Sequence, residues 1–89
     1  MNEISLDLFV DEDGHRTPFP VRVSIPVPGE TSEDYYCVVS APRLFSKEKS
    51  IFGGDALQAR SLALQFLADM ARGKRLVDAM GKQVDLAKL

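Results

Sequence analysis

The chain has 89 residues, enough for one domain (1–89) with a thin core; at this size only about 60–65% of the surface exposed by the unfolded form becomes buried. Apolar residues make up 45% and charged residues 27%, the balance of a globular chain and not of a disordered one. The formal net charge of −2 argues against general attraction to nucleic acid or anionic membrane, and no apolar run approaches the roughly 20 residues that cross a bilayer.

Residues 3–10 alternate, with Ile4, Leu6, Leu8 and Val10 on one face and Glu3, Ser5 and Asp7 on the other. That period predicts a half-buried strand. Residues 11–16 form an acidic turn around Gly14. A second strand follows, placing Phe19, Val21, Val23, Ile25 and Val27 on one face. Pro20 and Pro26 lie on its other face and cannot donate to a ladder, so they predict an edge position or irregular pairing. Residues 28–34 read as a loop, 35–41 as a third strand ended by Pro42, and 49–52 as a short fourth strand.

The clearest local signal is Gly53-Gly54-Asp55, followed three residues after Asp55 by Gln58. Asp55 is placed to accept from the first-turn N–H groups and Gln58 to reach back to the Asp55 N–H, as in a capping box. A helix is predicted over 56–72. At about 100° per residue its stripe is Ala59, Leu62, Ala63, Phe66, Leu67 and Met70. Leu57, Leu64, Ala68 and Ala71 widen that stripe, so the helix needs cover on two sides. One side is the sheet; the other is the tail or a second subunit. Residues 74–80 are compatible with one or two further helical turns, and 83–86 with an added strand or an extended arm.

Residues that bear chemistry are few. His15 is the only histidine, so a multi-histidine metal site within one chain is excluded, and Cys37 is the only cysteine, so an internal disulfide is excluded. Cys37, centred in a predicted strand, reads as a small buried apolar residue. The acidic turn 11–14 fails as a calcium loop, because aligning Gly14 puts Phe9 and Pro20 where acidic ligands belong. Gly53-Gly54-Asp55 fails as a diguanylate cyclase signature, because Ala56 stands where an acid should follow. Phosphate-binding, nucleophile-elbow and zinc-protease motifs are absent from the sequence.

Charge is unevenly distributed. Residues 1–34 carry eight acids and two bases, residues 35–89 nine bases and five acids, giving −6 and +4. Such asymmetry favours self-association or a charged partner. Arg60 falls inside the apolar sector of the helix. It reads either as a stem lying along the helix edge or as a charge paired at an interface.

The stretch 35–64 resembles a family of short, uncharacterised bacterial domains, in which an aromatic-x-Cys strand precedes a G-x-D-x-x-Q-A-x-x-L-A-L helix start. The matching residues are Tyr35 and Cys37, then Gly53, Asp55, Gln58, Ala59, Leu62, Ala63 and Leu64. The resemblance covers about a third of the chain and departs at Tyr35, where a tryptophan is usual. It implies a bacterial source and a strand meander with a helix, and it carries no catalytic residues.

The expected fold is α+β: an antiparallel meander of about four strands, one long C-terminal helix packed on one face, and a short extended or helical tail. The expected role is that of a small non-enzymatic protein–protein interaction module, cytoplasmic and homodimeric. It would use no cofactor, metal, nucleic acid or membrane, and Arg60, Leu64, Leu67, Ala68 and Ala71 are its candidate interface. Two alternatives stay open: an immunity or antitoxin-type protein that neutralises a toxin, and a small-ligand-binding domain.

Overall fold

The computed structural model describes residues 2–30 and 34–89. Strands β1 (Ile4–Glu12) and β2 (His15–Val23) form a hairpin in continuous register from Glu12↔His15 to Ile4↔Val23. The acidic turn reduces to two residues, Asp13 and Gly14, with φ of 50° and 80°. Two positive φ angles match the twist of the flanking strands, and Asp-Gly is a favoured pair for this turn.

The predicted second strand breaks at residues 24–26. It resumes as the two-residue β3 (Val27–Pro28), which pairs with β4 (Tyr35–Ser40). Ile25 is therefore half exposed and does not continue the inward row. β4 also pairs with the end of β2 at Arg22↔Ser40 and Val23↔Val39, and along its other side with β5 (Lys49–Gly53). The predicted loop 28–34 lies partly outside the described residues. Its ends are joined by the Gly29 N–H donating to the Asp34 carbonyl at 2.7 Å.

Helix α1 (Ala56–Met70) starts where predicted and ends two residues early, with Ala71 at its C-terminal cap. The Asp55 carboxylate accepts the Gln58 N–H at 2.8 Å. The Gln58 side chain accepts the Gly54 N–H, and not that of Asp55. Gly53 allows the helix to start directly over the strand: a Cβ there would lie 2.4 Å from the Ala59 nitrogen.

The helix is not the last element. β6 (Leu76–Val77) takes the place of the further helical turns considered for 74–80, pairing with β1 at Val10↔Leu76 and Phe9↔Val77. The chain then doubles back, with Val77 bridged to Gln83 and the Val84 N–H donating to the Leu76 carbonyl. It ends in a 3₁₀ turn (Leu86–Lys88). Among the described residues the sheet thus has six strands where about four were expected, because β3 and β6 are two-residue segments defined by their partners. Its order is β6-β1-β2-β4-β5, with β3 continuing the line of β2 beside β4.

The core lies between one sheet face and the helix. Leu8, Val10, Phe19, Val21, Val23, Cys37 and Val39 project from the strands against Ala59, Ala63, Leu64 and Leu67. The alanines are wholly buried and let the helix backbone approach the sheet. Leu86 is also buried, and it packs in this cluster with Val84 beside it.

Candidate functional site

Of the expected interface residues, Leu64, Leu67 and Ala71 are 4%, 0% and 5% exposed, so they are covered within the chain itself. Leu64 and Leu67 belong to the core between helix and sheet, and the tail adds cover at the end of the helix, where Val84 and Leu86 line the same crevice as Ala68 and Ala71. Ala68 and Arg60 are half-buried. Arg60 Nη1 donates to the Asn2 carbonyl at 2.9 Å, and among the described residues it has no carboxylate partner. It thus fastens the chain ahead of β1 to the start of the helix.

With the tail on one flank, the apolar stripe of α1 is rotated from the predicted one. Leu62 and Met70 are 43% and 44% exposed on the opposite flank, beside Phe66. The Phe66 ring meets that of Phe45, in the β4–β5 connection, at a centroid distance of 5.9 Å. The tail approaches from β6, beside β1, so the Leu62–Met70 flank lies toward β5 at the other end of the strand order.

β5 is the outer strand on that side, and its backbone can be assigned residue by residue. Ser24 donates its N–H to the Val38 carbonyl, and the Val38 N–H donates to the Ser24 hydroxyl, so Val38 faces the β2–β3 side. Backbone groups alternate along a strand. Tyr35, Cys37 and Val39 therefore face β5, bonding with their register partners Gly53, Ile51 and Lys49. Ser50 and Phe52 then turn their N–H and C=O groups outward, where no described residue pairs with them. The Phe52 side chain is 56% exposed and tilts against Tyr36, with ring centroids 5.4 Å apart.

The free stretches of β1 and β2 are guarded. The Asp11 N–H donates to the Arg75 carbonyl, so odd-numbered residues of β1 face β6, away from β2. Pro18 and Pro20, opposite Phe9 and Asp7, thus turn their missing N–H away from β1, on the length of β2 that β4 does not reach. Proline there blocks strand addition. Ahead of β6, the free stretch of β1 at Ser5 and Asp7 carries the exposed carboxylate of Asp7, while that of Glu3, just before the strand, is paired with Arg22 at 2.8 Å. Two copies meeting there would crowd like charges.

Cys37 is fully buried, and burial pushes its thiol pKa above the ordinary value while the nearby Arg60 charge opposes that rise. A thiol held neutral is a poor nucleophile. His15 is exposed at the hairpin end. Among the described residues, no cluster of three or more His, Cys, Asp or Glu side chains is placed to hold a metal, and no helix is long and apolar enough to cross a membrane. A shallow cleft of about 370 Å³ lies between the hairpin and Pro42, with Glu12, Arg43 and Lys74 at its rim.

Comparison with protein families, with curated proteins and with solved structures found no match to this chain.

Proposed function

We propose that this chain is a non-enzymatic protein–protein interaction module that works by self-association. The observation that supports this reading is exposed apolar surface at the β5 end of the sheet. Phe52, on the sheet face away from the helix, and Leu62 and Met70, on the helix flank toward β5, remain uncovered, as do Leu57 and Met80 elsewhere on the chain. Exposed apolar groups of this size favour protein contact, since burying a large side chain of this kind contributes about 1.5–3 kcal/mol.

Sedimentation equilibrium across a concentration series tests the reading. The expected result is a reversible monomer–dimer equilibrium with a midpoint on the order of micromolar. A molecular mass that stays at 9.8 kDa up to the highest soluble concentration would overturn it.

A further inference from the structure

Resting on that self-association reading, we infer that two copies join through their β5 strands. The strands run antiparallel about a two-fold axis at Ile51, making one continuous sheet with both helices on the same face. Three observations set this register. First, the outward backbone groups belong to Ser50 and Phe52, and flanking Gly54 already gives its N–H to Gln58. Only a register centred on Ile51 places Ser50 of each copy opposite Phe52 of the other. All four outward donors and all four outward acceptors of the pair are then bonded. Centring on Phe52 would pair Ser50 with the committed Gly54, and centring on Ser50 would leave Phe52 opposite Glu48.

Second, the charges match. The exposed lysines flanking β5 would ordinarily discourage strand addition. In this register Lys49 of one copy falls opposite Gly53 of the other, and the ends of the paired strands bring Lys47 and Glu48, just before β5, to the same end of the seam as the partner copy's Asp55, just after it. Asp55 uses Oδ1 for the helix cap and retains its second oxygen for a lysine. Opposite charges brought close across a strand pair are favourable.

Third, the side chains agree with the backbone. An axis perpendicular to the sheet places both helices on the same face, with the Leu62 flank of each on the side toward the partner copy. On the other sheet face the two Phe52 rings become diagonal neighbours, each beside its own Tyr36.

The test compares the wild-type chain with Ser50→Pro by sedimentation equilibrium, with circular dichroism as the folding control. Proline at 50 loses an N–H that points outward, so the β4–β5 ladder is spared. The dimer dissociation constant is expected to rise on the order of 100-fold, as two intermolecular hydrogen bonds are lost. A second arm reads the register without relying on that variant. Ser50→Cys and Phe52→Cys chains are mixed and oxidised, and a disulfide joining one of each is expected, because directly opposed bonded pairs lie about 5.5 Å apart at Cα. Homodimers of either variant in preference to the mixed product would overturn the Ile51 axis. A wild-type dimer that Ser50→Pro leaves intact would overturn the β5 interface while self-association stands. A strictly monomeric wild-type chain would overturn both, and growth in mass beyond two copies would overturn the two-fold arrangement.

Discussion

The Ser24 hydroxyl accepts the Val38 N–H at 2.8 Å and so substitutes for a strand carbonyl where β2 breaks before β3. It donates in turn to the Ile25 carbonyl at 3.0 Å. One side chain thereby keeps β4 attached across the interruption at residues 24–26. Ser24→Ala strands a part-buried donor, and a loss of about 1–2 kcal/mol is expected by urea denaturation. Ser24→Thr, which keeps the hydroxyl, should recover most of it.

Two substitutions at the start of α1 should differ in size. Asp55→Ala removes the cap that receives the Gln58 N–H, at a cost of about 1 kcal/mol. In Gly53→Ala the added carbon would meet backbone atoms of Ala59 and Gln58 at 2.4 to 2.8 Å, where no side chain can swing aside. The helix has to shift, so a loss of about 3 kcal/mol is expected. Denaturation midpoints of the two variants give the order directly.

Cys37 makes a pH prediction with a definite sign. Burial raises its folded pKa above the unfolded value, so the folded chain holds the thiol proton to higher pH. Its contribution to stability is complete below the unfolded pKa, about 8.5, and falls as the pH rises from there through the folded value. Unfolding free energy should therefore decline more steeply above that pH in the wild type than in Cys37→Ala. Arg60→Met removes the opposing charge, and the thiol should then titrate at still higher pH when followed by thiolate absorbance.

Leu86 is buried and lines a crevice with Ala68 and Ala71 of α1. Leu86→Ala should cost about 2–5 kcal/mol, the range for emptying a buried leucine site. Binding of a hydrophobic dye should rise with it, as the apolar crevice widens. A surface-level loss of under about 0.5 kcal/mol would mean that the tail does not seal the helix.

Much of the architecture was legible because its signals are local. The alternation of Ile4 to Val10, the turn around Gly14 and the Asp55–Gln58 cap each act over a few residues, and the structure shows strands, turn and helix start in those places. What could not be read depends on distant partners. β3 and β6 have two residues each, too few for any period, and exist through their pairing with β4 and β1. The stripe read from the period runs too far toward Leu62 and Met70; the widening through Leu64 and Ala71 calls for cover on the other flank, but does not say that Leu86 in place of a second subunit supplies it. The outward turn of Ser50 and Phe52 was equally hidden: it follows from Val38 being bonded to Ser24 across the neighbouring strand. Arg60 stands out in the sequence as a charge in an apolar sector. Its partner, the Asn2 carbonyl, lies far away in sequence and is reached only through the fold.

The pairing of β6 with β1 joins residues more than sixty positions apart, whereas the β1–β2 hairpin closes over two. Loops that long close late, because their entropy is lost before their contacts are made. On a ribosome the hairpin can therefore form early and wait, one edge bare, through the synthesis of everything up to Leu76. The acids at Glu3 and Asp7 and the prolines at 18 and 20 are present from the first moments of that wait, when other nascent chains are closest.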